Sequence, residues 1–191
     1  MPMSLAPLFG MWVVMMALMM LPGALPAILR RGGWRARAVF AAGYLAVWTA
    51  FSAVAAIVQE TLESAALLSE DMLLRSSVAA GITLIAAGVY QLTRWKHHFL
   101  LECRVRAHEP CVPGAWKALL AGLRYGTECL GSSAPLMALM LVVGVMNLAA
   151  MVALATWILA EKSAPWGLRL SRFGAAGLVA WGGFLLAMAP A

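Results

Sequence analysis

The stretch "WKHHFLLECRVRAHEPC", residues 95–111, holds every histidine of the chain and two of its three cysteines. His97, His98, Cys103, His108 and Cys111 offer imidazole and thiolate donors, which suit zinc, copper or iron. The spacing is poor for a compact zinc finger, because neither a C-x-x-C nor an H-x-x-x-H pair is present. On a helix, neighbours on one face are three or four residues apart, so neither His97 nor His98 lines up well with Cys103. Spacing alone therefore leaves two readings open: a metal site, or a basic interfacial loop with histidines among its cations.

Methionine is the second soft donor. Met11, Met15 and Met19 recur every fourth residue, with Met16 and Met20 beside them, so a helix would carry them as one broad stripe. Met137, Met140, Met146 and Met151 form a second group. Thioethers select Cu(I), but methionine is also a flexible apolar gap-filler between helices. Cys129 is the remaining thiol, followed by Gly131, Ser132 and Ser133 at the start of an apolar run. The candidate metal ligands are thus Cys103, Cys129, His97, His98, Met15, Met19 and Met137, and the candidate metal is copper or zinc. Other polar groups in apolar surroundings are Asn147, expected deep inside a span, and Arg124 with Glu128, spaced to neutralise one another. Glu161 and Lys162 close an apolar run as an interfacial pair. No Walker loop, G-x-G-x-x-G, H-E-x-x-H, G-x-S-x-G or catalytic triad occurs, so an enzyme is not expected.

The elements that must position these residues follow from composition. The chain has 191 residues, of which 63% are hydrophobic and 12% charged. Soluble domains average about 45–50% apolar and about 25% charged. The expected fold is all-α: a single integral-membrane helical domain over residues 1–191, a polytopic bundle of five to six transmembrane helices. The lipid bilayer is then its first partner, with a metal ion and a membrane-protein partner or a second copy as further ones. The net charge of +6 lies in short blocks, a topology signal rather than a nucleic-acid signal.

The N-terminal run lacks the basic start of a signal peptide and is expected to be a retained first span, about 6–29. A second span is expected at about 38–59, and a third at about 77–95 that continues helically into the His/Cys stretch. A short polar fourth helix over 114–130, a clear span over 134–160 and a last one over 173–190 complete the series. Residues 60–75 carry Glu60, Glu63, Glu70 and Asp71, and Leu62, Ala66, Leu73 and Leu74 would let them form an interfacial helix. Arg30, Arg31, Arg35 and Arg37 put the first loop in the cytoplasm and the N-terminus on the periplasmic side of a bacterial inner membrane. The His/Cys stretch, with Arg94, Lys96, Arg104 and Arg106, falls on the same inner side. The basic loop with Lys162, Arg169 and Arg172 joins them only if residues 114–130 also cross. With six spans, Cys129 tends to the outer face and Cys103 to the inner, so a shared site needs the fourth helix to sit deep or re-enter.

Several segments, in order, resemble a bacterial family of predicted metal-binding integral membrane proteins of unknown function. "WVVMMALMMLPGALP", "YQLTRWKHHFLLECR", "GLRYGTECLGSSAPLMALMLVVGVMNLAAM" and "AEK" carry the resemblance. It implies a two-motif metal site with Cys103 in one half and Cys129 in the other. This chain departs from the pattern at Phe99, Ser132 and Ser133, where the family has cysteines, and at Tyr125, where it has histidine. The resemblance therefore implies a site depleted in thiols, either still binding metal through cysteine, methionine and histidine or reduced to a helical subunit or assembly factor of a larger membrane complex.

Overall fold

Alanine recurs in every apolar run, joined by leucine or methionine in most of them, and all three favour helix. The computed structural model describes residues 5–65, 76–109, 114–144 and 147–189. Its elements are α1 (Leu5–Leu29), α2 (Trp34–Ser64), α3 (Ser77–Leu92), α4 (Arg94–Arg106), α5 (Ala115–Ala138), α6 (Met140–Val143), α7 (Leu148–Ser163) and α8 (Gly167–Ala187). No strand occurs among the described residues, in line with the all-α expectation. Of the acidic segment, Glu60, Leu62 and Glu63 belong to the end of α2, and residues 66–75 lie outside the described residues.

The span count is corrected. Among the described residues four helices, not five or six, are long and apolar enough to cross a membrane: Leu5–Leu29, Trp34–Ser64, Ala115–Val143 and Gly167–Ala187. α3 is apolar but has 16 residues, as does α7. A helix of that length reaches about 24 Å, short of the roughly 30 Å hydrocarbon core. The segment read as a short polar fourth helix is instead part of a long one that continues into the next apolar run.

Two breaks and the place of one amide differ from the hydropathy reading. The third helix does not run on into the His/Cys stretch. Thr93 adopts an extended backbone, and its hydroxyl accepts from the Lys96 N–H at 3.3 Å, starting α4 as a separate helix. The apolar run over 134–160 is not one span. Gly144 has φ 95°, a conformation glycine adopts freely, and α7 starts anew beyond it. Asn147 is not a buried intramembrane amide: it is exposed and caps α7, its Oδ1 accepting from the Ala150 N–H at 3.1 Å.

Close helix approaches set the register. A Cβ on Gly43 of α2 would come 2.5 Å from the Leu119 carbonyl oxygen of α5, and one on Gly122 would collide with the Phe40 carbonyl. This crossing brings Phe40 and Tyr44 against Tyr125, with ring centroids 5.7 and 5.5 Å apart. Gly122→Val should therefore force α2 and α5 apart at a destabilisation of about 1–3 kcal/mol or more. Thermal unfolding in detergent would register the loss, and an unchanged midpoint would show the crossing to be soft.

Three basic segments meet at one end of the bundle through backbone carbonyls. Arg31, laid over the Phe40 ring at 4.3 Å, donates to the carbonyls of Arg106 at 3.1 Å and Glu109 at 3.4 Å. Arg104 donates to those of Glu161 at 2.8 Å, Lys162 at 2.9 Å and Ala164. The last carbonyls of α7 have no helical partners of their own, and a guanidinium is suited to cap them. The α1–α2 turn, the end of α4 and the α7–α8 turn are thereby tied together.

Candidate metal centre

α4 lies along α5, and Pro135 helps to fix how. Proline has no N–H, so the Gly131 carbonyl loses its helical donor. Tyr90 of α3 supplies a replacement, its hydroxyl donating to Gly131 O at 2.7 Å. The next carbonyl, of Ser132, accepts from Lys96 Nζ of α4 at 2.5 Å.

Lys96 also pairs with Glu161 of α7 at 2.7 Å, and both side chains are only 1% exposed. The Glu161 carboxylate accepts further bonds from Trp157 Nε1 at 3.0 Å and Gln91 Nε2 at 3.2 Å. Ser171 of α8 donates in turn to Gln91 Oε1 at 3.0 Å. Glu161 is therefore no interfacial partner of Lys162, as its position at a span end had suggested. It is the centre of a buried network that joins α3, α4, α5, α7 and α8. Such a network is tolerable away from water because its charges are paired and its lone pairs are filled.

Lys162 turns the other way. Its Nζ donates to Cys129 Sγ at 2.7 Å. Tyr44 OH lies 3.2 Å from the same sulfur and also reaches the Met20 carbonyl of α1 at 3.2 Å. Cys103, from α4, is buried in the same cluster as Cys129 and Tyr125, which are its electrostatic neighbours. Both cysteines are buried and free. The neighbouring Cys129, with burial, pushes the Cys103 thiol well above its ordinary pKa. The result is a buried pair of thiols beside aromatic rings, with one ammonium on Cys129.

The two cysteines expected on opposite faces thus meet, because α5 carries Cys129 inward alongside α4. The other candidates fall elsewhere. His98 is exposed and leans on Phe99 at 5.8 Å between centroids. His97 is half-buried with an unpartnered Nε2. Burial, with Arg172 and Lys96 close by, holds its imidazole below its ordinary pKa. Met15, Met19 and Met137 are buried in the same apolar cluster as the two cysteines. Cys111 lies outside the described residues. Among the described residues no three of His, Cys, Asp and Glu converge as a ligand group. Arg124 is exposed, and Glu128 sits 3.7 Å from Arg106 rather than neutralising Arg124.

The positions at which the resemblance expects further donors are filled by other side chains. The Phe99 ring is packed so tightly on Gly131 that a Cβ there would lie 2.7 Å from it. Ser132 turns its hydroxyl to the Cys129 carbonyl at 2.8 Å, and its oxygen lies 3.3 Å from that of Ser133. Tyr125 puts a phenol beside Cys103 where an imidazole would be a third ligand. Sequence reading missed Tyr44 and the roles of Lys96, Glu161 and Lys162. The available signals were a charged pair ending an apolar run and the presence of Lys96 and of that pair in segments that carry the resemblance.

No curated protein and no solved structure matches the chain. One family model does, over residues 9–185, and it describes a copper chaperone. That description supports the metal-related family expected from the motifs. Matched over nearly its whole length, the chain belongs to the PpoB2 copper chaperone family.

Proposed function

We propose that this protein carries Cu(I) as cargo between Cys103 and Cys129 within a membrane helix bundle, and hands it to a recipient without catalysing a reaction. The observation that carries the reading is the buried thiol pair with Lys162 Nζ 2.7 Å from Cys129 Sγ. Cu(I) is soft and prefers thiolate, and two such ligands can satisfy it. Zinc sites usually take four ligands in a tetrahedron, and no third His, Cys, Asp or Glu converges here among the described residues.

Charge supports the same choice. Two thiolates and one Cu(I) leave a single negative charge, which the Lys162 ammonium cancels. A divalent ion between the same thiolates would leave the ammonium uncompensated in a buried site, an expensive arrangement. Glu161 offers no relief, being held by Lys96. The four long apolar helices favour a lipid setting, and the basic end favours a cytoplasmic face for that end of the bundle. In a bacterial inner membrane the N-terminus would then be periplasmic.

The test is a titration of the reduced protein in detergent with Cu(I) and, separately, Zn(II), each against a chromophoric competitor. One tight Cu(I) equivalent and no tight Zn(II) equivalent are expected. Lys162→Gln should weaken Cu(I) by roughly the 10–100-fold that loss of an outer-shell partner costs. Tight zinc binding, or no copper binding, would overturn the proposal, and the latter would leave a structural subunit as the better reading.

A further inference from the structure

One helix is supported along only half its length. α7 buries Ile158 and Glu161 toward its C-terminal end, while Leu148 and Val152 are exposed in its first half. Beside that half lies an apolar cavity of about 540 Å³ between α3, α6, α7 and α8. Ligand pockets in proteins commonly fall between about 300 and 1,000 Å³. The space exists because three of its walls are small: Ala80 on α3, and Ala150 and Ala153 on α7. Apart from the Ser77 hydroxyl and the Trp181 indole, every lining side chain is a hydrocarbon.

Where the cavity opens decides what can enter. Trp181 is 64% exposed, and Ser77, Val143 and Ala153 are exposed as well, so the cavity reaches the outside of the bundle. Trp181 and Val143 belong to two of the long apolar helices, Gly167–Ala187 and Ala115–Val143. In the lipid setting proposed above, the medium at that opening is acyl chain rather than water. Along α3 the lining runs from Ser77 to Leu84 and along α8 from Leu178 to Leu185, roughly 10 Å in each case. The cavity is therefore a slot that follows the helix axes. Left empty, its walls forfeit dispersion contacts, and water finds too few polar partners there to fill it. A flexible hydrocarbon chain meets both conditions.

The slot also stands in a fixed relation to the buried charges. Leu84, Leu139, Leu154 and Leu178 line it, and each is seven residues along the chain from a member of the Glu161 network: Gln91, Ser132, Glu161 and Ser171 in turn. Its occupant thus packs on α7 about two helical turns from Glu161.

We infer that this slot takes one acyl chain of a bilayer phospholipid, which supplies the packing partner that the first half of α7 lacks. The inference rests on the lipid setting and is independent of copper.

The delipidated protein in detergent is titrated with dioleoyl phosphatidylcholine, and bound lipid is counted by native mass spectrometry. Wild type is expected to hold one lipid molecule and to melt at a higher temperature with it than without it. Ala153→Phe puts a ring into the slot and should weaken uptake at least tenfold. Val152→Phe, at an exposed neighbour outside the lining, should leave uptake unchanged. If Ala153→Phe fails to fold, Ala150→Leu is the smaller obstruction and is expected to act in the same direction. The inference is overturned if wild type takes up no lipid, if the slot variants hold it as wild type does, or if Val152→Phe loses it equally. A dimer that Ala153→Phe dissociates would overturn it too, by giving the slot to a second copy of the chain. Failure of the lipid setting has its own signature: protein that stays monodisperse once detergent is removed.

Discussion

Cys129→Ser should abolish stoichiometric Cu(I) binding at the thiol pair while leaving the helices folded. The sulfur is the convergence point of the pocket, touched by Lys162 at 2.7 Å and Tyr44 at 3.2 Å. A serine hydroxyl keeps donor and acceptor capacity toward both neighbours, so the packing has little reason to change. It is a hard oxygen, however, and does not replace a thiolate for Cu(I). The loss should exceed the roughly 10–100-fold that follows removal of an outer-shell partner. Cys103→Ser should fall in the same direction but less far, since Cys129 keeps its ammonium. Competition against a Cu(I) chelator measures both, with circular dichroism as the folding control. Wild-type affinity in Cys129→Ser would remove the pair from any copper role.

The second large effect is on stability. Glu161→Gln leaves the Lys96 ammonium buried without its counter-charge, and Lys96→Met leaves the Glu161 carboxylate in the same position. Removing one partner of a buried pair costs about 3–5 kcal/mol. The double change Lys96→Met/Glu161→Gln should cost less than either single change, because no orphan charge remains and the Gln carbonyl still accepts from Trp157 and Gln91. Unfolding in detergent, followed across the four proteins as a cycle, reads the coupling directly. Additive losses would mean that water reaches the pair and screens it. The double variant should also bind copper more weakly than wild type, since Lys96 anchors α4, which carries Cys103, to Ser132 and α7.

Helical class and the first two long helices were legible because hydropathy and length decide them locally. The joining of Cys103 and Cys129 was legible only as two halves of a motif pattern, since burial depth along α5 is not written in hydropathy. The breaks at Thr93 and Gly144 carried their signals, a capping hydroxyl before Lys96 and a Gly followed by Asn147. A long apolar run outweighed those signals. Glu161 and Lys162 read as an interfacial pair because they are adjacent and end a span. Their actual partners are Lys96, 65 residues away, and Cys129, 33 residues away. Contacts of that separation are set by which helices cross, and here the crossing depends on glycines such as Gly43 and Gly122.

The position of Lys162 in the chain also orders the protein's biogenesis. A nascent chain that has emerged only as far as Val143 already carries both thiols, but neither the ammonium that neutralises the pocket nor the carboxylate that anchors Lys96. Both arrive with the end of α7, just as Arg104 gains the carbonyls it caps. The site is therefore completed only once the end of α7 has been made, and a partly inserted chain holds its thiols without the counter-charge that would let it keep the metal.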